Sequence, residues 1–313
     1  DSTLILGGGG NYSYNGYMRD RSSGTSTGKL ALTKSGGGTQ TLGGTLIDYT
    51  GSTTVSGGTL RFLDLDDLHS STLAIAQDAT VEFSNTARNF NRFTNTVISG
   101  DGAFVKTGTG LLKTGDSGGY ARWNMTGGLI DVREGEFRAD YQLDQAAAWA
   151  NNKASLNVEA GAFVSMVGGN SISVDALTGA GTVQNINSWG VAPFTVGVND
   201  GSGTFSGTLR DNGGVLALTK VGAGTQTLSG SADNAGLGVT ANQGTLILAK
   251  TSSAGVHAVG GLIGALLTGV LADPAVGGVT GSLAVQALAC AATVAYSAVA
   301  TAGVLWLVSQ LLT

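Results

Sequence analysis

Proline is nearly absent from this chain of 313 residues, with 2 in all, and cysteine occurs once, at Cys290. Collagen needs abundant proline and a strict glycine period, so a triple helix is excluded. One cysteine makes no internal disulfide. That excludes a disulfide-stapled secreted domain but not an exported bacterial protein without bridges. Charged residues are only 12% of the chain, about half the usual soluble share. The formal net charge is −5 and no basic run occurs. Phosphate binding needs a positive footprint, so nucleic acid is not expected as a partner. No Gly-x-Ser-x-Gly elbow, P-loop or His-Glu-x-x-His segment is present, so no familiar catalytic or cofactor motif is in view. The chain opens at Asp1 without a charged-then-apolar leader, as it would if an export signal had been removed.

What is present is glycine, 52 residues of it, among Thr, Ser, Asn, Val and Leu. Disordered glycine-rich linkers lack regular apolar positions; this chain has them and is expected to pack a core. Runs such as STLAIA (71–76), ATVEF (79–83) and SLNVEA (155–160) alternate as half-buried strands do. Gly, Asn and Asp punctuate them at short intervals. One stretch, Tyr141 to Ala154, has helical composition and reads as an excursion from the strands. Charge divides the chain in two. Residues 1–250 hold all 16 Lys and Arg and all but one of the 21 acids; beyond them only Asp273 is formally charged. The reading is therefore two domains, 1–250 and 251–313.

Internal repetition is the strongest signal. LTKSGGGTQTL (32–42) recurs as LTKVGAGTQTL (218–228), and more loosely as VKTGTGLLKTG (105–115). Each has a second element after it: SGGTLRF (56–62), NQGTLIL (242–248) and REGEFRA (133–139). Lys34 to Gly58 and Lys220 to Gly244 each span 24 residues, and Lys106 to Gly135 spans 29. A small-Gly-x-Gly step recurs at 98–108 and 176–185. A unit of two or three short strands cannot bury its apolar face alone. Stacked in parallel, such units share one column of Leu, Val, Ile and Phe. Glycine suits the corners, where positive φ is needed. Roughly ten coils at about 4.8 Å spacing make a rod on the order of 50 Å long.

Leu32, Lys34, Gly36, Gly38 and Leu42, followed by Gly57, Gly58 and Leu60, resemble the autotransporter-associated β-strand repeat. So do Leu218, Lys220, Gly222, Gly224 and Leu228, followed by Gly244 and Leu246. In the looser copy, Lys106, Gly108, Gly110 and Gly135 fit, while Val105 stands where the first Leu belongs. The resemblance covers most of 28–250. It implies a right-handed parallel β-helix displayed on a bacterial surface, in which these residues serve the stack and not an active site.

The remainder, 251–313, is hydrophobic and is expected to form a helical hairpin over about 256–272 and 279–312, turning at Asp273-Pro274. Val279–Leu312 is long enough to span a bilayer, and Val256–Ala272 is marginally short. Residues 254–275 and 279–312 are similar to two late membrane segments of the ammonium transporter family, which maps a pore histidine onto His257. A buried hairpin packed in an oligomer or against the strands is the rival reading.

Two acidic clusters invite chemistry. Asp64, Asp66 and Asp67 beside His69 could offer hard oxygens to calcium, with Asp64 and Asp66 on one strand face. Glu134 and Glu136 could form the carboxylate pair of a glycan-cleaving β-helix, also on one face. For both, a solvated corner or charged strand face is the favoured reading, and no catalytic residue, cofactor or metal is assigned. Tyr12, Tyr14, Tyr17, Arg19 and Arg21 read as a cover for the first coil. The expectation is a mainly β, non-enzymatic structural or adhesive solenoid, exported to the cell surface or medium. Its partners are expected to be itself or a host-surface ligand, with membrane contact through 256–312. The alternatives are a filament subunit whose tail helices pack between copies and an ammonium-transporter-like fragment fused to a β-helix.

Overall fold

A computed structural model describes residues 1–251, apart from 21–26, 45, 117–118, 141–144, 188–189 and 235. The expected hairpin and His257 lie outside the described residues. Among the described residues, no helix is long and apolar enough to cross a membrane.

The described chain is a parallel β-solenoid of about ten turns. Each turn visits three faces. The second face is one continuous sheet of 11 strands, from Tyr12–Tyr14 through Thr39–Gly43, Thr59–Leu63 and Thr80–Ser84 to Thr225–Gly230 and Thr245–Lys250. Steps along it range from 20 residues, Thr39 to Thr59, to 28, Tyr12 to Gln40. At about 4.8 Å per step the sheet is roughly 50 Å long. The first face starts as a six-stranded sheet from Ser2–Leu6 to Arg122–Met125 and resumes as a four-stranded sheet from Ile172–Val174 to Gly238–Ala241. The third face holds a five-stranded sheet from Leu111–Lys113 to Thr208–Asp211, preceded by two short strand pairs. Every strand pair is parallel except Gly115–Asp116 with Gly119–Tyr120.

The alternation read from sequence is what fills the core. Thr72–Ile75, Thr80–Ser84 and Ser155–Val158 all turn their apolar side chains inward. Parallel in-register stacking then aligns like with like. Leu42, Phe62 and Phe83 occupy successive rungs of one inward column, and Leu60, Val81, Phe104 and Ile130 occupy its neighbour. An aromatic run threads the middle turns. Phe62 lies 5.0 Å from Phe83, Phe83 5.3 Å from Phe104, Phe104 5.0 Å from Trp123, and Trp123 stacks on Trp149 at 4.7 Å and 10°.

Trp149 comes from the excursion. The described helix is Gln145–Trp149, shorter than the expected Tyr141–Ala154. The chain leaves it by Asn152, whose amide N–H donates to Trp149 O, and then rejoins the first face. Lys153 N donates to Met125 O at 2.8 Å and Asp175 N to Ala154 O at 2.9 Å. Rung geometry thus outcompetes helix propensity over 152–154, bridging the two first-face sheets.

Candidate functional site

The residues singled out by repetition meet at the corners. Lys34 ends the first-face strand Leu30–Lys34 with its side chain turned inward, and it is only 3% exposed. Its ammonium donates to Ser35 O at 3.0 Å, Gly36 O at 2.8 Å and Gly57 O at 3.0 Å. Two acceptors belong to its own corner and the third to the same corner one turn later. An ammonium has three donors and no acceptor, so a cage of three carbonyls suits it. Carbonyls can point inward only if the backbone turns sharply, and Gly36 and Gly58 have φ of 75° and 63°. A Cβ on Gly58 would stand 2.4 Å from Gly38 O and 2.5 Å from Gly36 O. The corners therefore nest so closely that a side chain is excluded, whatever the backbone strain.

The second copy repeats this arrangement. Lys220 donates to Val221 O, Gly222 O and Gln243 O at 2.6, 2.8 and 3.5 Å. Gly244 sits over Gly222 O and Gly224 O as Gly58 sits over Gly36 and Gly38. The looser copy is built the same way at a different corner. Lys106 donates to Thr107 O, Gly108 O and Glu134 O at 2.8, 2.7 and 3.2 Å, and Gly135 covers Gly108 O and Gly110 O. Its strand, Ala103–Thr107, belongs to the second face, so this cage closes the corner between second and third faces. The other two close the corner between first and second. The motif therefore encodes a corner, not a fixed position in the turn. Leu32, Leu42, Leu218 and Leu228 flank the cages and are buried in the core.

Burial lowers the pKa of Lys34 and Lys220, the latter partly countered by Asp200 and Asp175. Burial lowers Lys106 further, to about 8, with Glu134 acting against it. At neutral pH the charged form that fills the cage still predominates.

The glutamine of the same motif has a role that sequence reasoning missed. Gln226 Nε2 donates to Leu177 O at 2.9 Å, and Leu177 N donates to Gln226 Oε1 at 3.0 Å. The two residues lie two turns apart, with Gly203 between them in register. The side-chain amide replaces the backbone pairing that Gly203 leaves open. Its counterpart Gln40 faces Tyr12 on the turn below and donates to its own Thr41 O at 3.1 Å.

Asp64, Asp66 and Asp67 do not share one face. Asp64 adopts φ 51° at a corner, so it shares no strand face with Asp66. Its carboxylate accepts from Thr86 N, Thr86 Oγ1, Ala87 N and Arg88 N on the next turn, at 2.6 to 3.2 Å. Burial pushes its pKa up, but these hydrogen bonds together hold it below the ordinary carboxylate value. Asp66 meets Arg88 at 3.2 Å, Asp67 meets Arg92 at 3.5 Å, and His69 Nδ1 lies 3.0 Å from Asp48. Glu134 and Glu136 separate likewise, because Gly135 between them turns at φ 68°. Glu134 accepts from Gly108 N at 3.0 Å, and Glu136 binds Arg138 through both oxygens at 2.9 and 2.8 Å. Tyr12 and Tyr14 do not cover the first coil; they form its second-face strand and remain 61% and 43% exposed.

Residues 32–62 and 218–248 match the family model described as passenger-associated-transport-repeat. These are the two segments whose lysine cages sit between first and second faces. The chain is also similar to the adhesin BmaC autotransporter of Brucella suis biovar 1 (strain 1330), with 27% identity over 229 residues. That alignment covers 66% of this chain and 7% of the adhesin, so the chain spans a small part of the relative's length. No solved structure matches the chain.

Proposed function

We propose that this chain is a non-catalytic structural and adhesive module of an exported, surface-displayed protein. The observation that carries the reading is the use of the polar groups. The lysines of the repeat, and Asp64, Glu134 and Gln226, are committed to backbone atoms of neighbouring turns, so they act on the stack rather than on a ligand. The likeness to a named autotransporter adhesin supports display and adhesion. The winding is taken as right-handed, the hand that parallel β crossovers favour. A host-surface ligand is the expected partner, and the long outer faces supply the area for it.

The test is adhesion by the folded protein. Beads coated with the purified full chain are expected to bind host-cell monolayers or matrix-coated plates several-fold better than albumin-coated beads. Binding no better than albumin on every surface tried would overturn the adhesive role. Turnover of surface glycans by the purified chain would overturn the non-catalytic one.

A further inference from the structure

Asparagine or aspartate stands directly before glycine at Asn15-Gly16, Asp101-Gly102, Asp200-Gly201 and Asn212-Gly213. At such a pair the glycine nitrogen can attack the Cγ before it, because no glycine side chain obstructs the ring that forms. The attacking N–H must be uncommitted, and the fold withholds it at two of these pairs. Gly102 N donates to Ile75 O at 3.1 Å, and Gly201 N to the Asp175 carboxylate at 2.7 Å. At Asn15-Gly16 the Tyr14 ring stands over the glycine, where a Cβ would lie 2.5 Å from the Tyr14 hydroxyl.

Asn212-Gly213 differs on each count. It lies in the connection between Thr208–Asp211 and Val215–Lys220, outside any strand. Asn212 and Gly213 are both exposed, and among the described residues nothing accepts from Gly213 N. Gly213 turns at φ 111°, and a Cβ on it would meet no atom closer than 3.3 Å. Asn212 itself is held in place. Its N donates to Asn185 O at 2.9 Å and its Nδ2 to Gln184 Oε1 at 3.0 Å. The same Oε1 accepts from Arg210 Nε and Nη2 at 3.2 and 3.0 Å, so a guanidinium stands beside the amide. The other described arginines each meet a carboxylate or an aromatic ring, and Arg210 meets neither among the described residues.

We infer that Asn212 is a site of spontaneous deamidation, which turns it into a carboxylate partner for Arg210. Gly213 N bonds to Asn212 Cγ, the Cγ–Nδ2 bond breaks, and ammonia leaves with the proton that Gly213 N gives up. The cyclic imide then takes up one water and opens at either carbonyl, to aspartate or to isoaspartate. The Arg210 cation stabilises both the oxyanion that forms at Cγ and the carboxylate that replaces the amide. Isoaspartate adds a methylene to the backbone, and here it falls in a connection, so the inward columns keep their register. This goes beyond the adhesive reading and stands or falls separately from it, because it is read without any ligand.

The test uses the purified full chain, incubated folded in mildly alkaline buffer, sampled over time, then denatured and digested. Trypsin, cutting after Arg210 and Lys220, releases residues 211–220, in which Asn212 is the only side-chain amide. Cutting after Arg19 releases residues 1–19, which contain Asn15. Mass spectrometry is expected to show acid and isoaspartyl forms of 211–220 accumulating several-fold faster than those of 1–19, with circular dichroism unchanged. In concentrated urea, where neither glycine is covered, the two peptides should convert at similar rates. Arg210→Met should slow conversion several-fold in the folded protein, read on the chymotryptic peptide 210–216. The inference is overturned if Asn212 keeps its amide while Asn15 converts, or if the two rates stand in the same ratio folded and in urea. An unchanged rate in Arg210→Met would overturn the part given to Arg210.

Discussion

At the scale of the residue, the molecule depends on where ammonium groups and glycines meet. Lys34 gains three carbonyl acceptors but gives up hydration, and each charged hydrogen bond contributes about 1.5–3 kcal/mol at most. Lys34→Met is expected to cost roughly 1–3 kcal/mol, because three inward carbonyls lose their donor. Hydrogen exchange should then quicken at the corners around Gly36 and Gly58 and not at Gly222. A pH effect follows from Lys106. Its folded pKa is about 8, against 10.5 for the free side chain. Between these values the unfolded chain binds more protons than the folded one, so stability rises with pH. Lys34, Lys220 and Lys250 are shifted in the same direction. The urea midpoint should therefore increase from pH 8 to pH 9.5, and Lys106→Met should lessen the increase. A midpoint that falls over this window in the parent protein would contradict the burial of these groups.

At the scale of the element, much was legible and some was not. Period-two alternation announced the strands, and the repeat announced the corners. The 24-residue spacing from Lys34 to Gly58 is one turn of the solenoid plus the few residues of the corner. The lysine cages were not legible. A lysine in a strand reads as outward, and only the backbone path shows that carbonyls converge on it. Nor did the sequence reveal that Lys106 marks another corner, because motif and corner are local while the face is set by the turns before it. Gln226 was equally hidden, since its partner lies two turns away and both depend on Gly203 having no side chain. The faces expected to be shared by Asp64 with Asp66 and by Glu134 with Glu136 failed for a related reason: neighbours along the chain are parted by positive-φ residues such as Asp64 and Gly135. The excursion Gln145–Trp149 carries the prediction at this scale. Trp149 is 2% exposed and stacks on Trp123. Trp149→Ala is expected to cost about 3–5 kcal/mol, the range for emptying a large aromatic site. It should also remove the near-ultraviolet dichroism of the stacked pair. Trp149→Phe should cost much less, since the indole N–H it deletes is buried without a partner.

At the scale of the whole molecule, the stack is quasi-one-dimensional, and each turn answers mainly to its two neighbours. Length should then be additive, provided that the added piece closes a full turn. The step from Thr39 to Thr59 is 20 residues, so residues 39–58 form one such piece. Duplicating them joins Gly58 to a second Thr39, which repeats the glycine-to-threonine corner already found at Gly38-Thr39 and Gly58-Thr59. The expected product keeps its dichroism per residue and lengthens by about 4.8 Å, as read by X-ray scattering or electron microscopy. The contrast lies in where extra residues fall. Turns already vary from 20 to 28 residues, and the difference is absorbed in connections between strands. One residue inserted in the exposed connection at Ala87-Arg88 should therefore cost no more than the local hydrogen bonds to Asp64 and leave the columns in register. The same insertion within Thr80–Ser84 would send Phe83 outward and a polar neighbour into the column between Phe62 and Lys106. Loss of cooperative unfolding is expected there and not at Ala87-Arg88. Equal tolerance of both insertions would mean that in-register columns are not what holds the turns together.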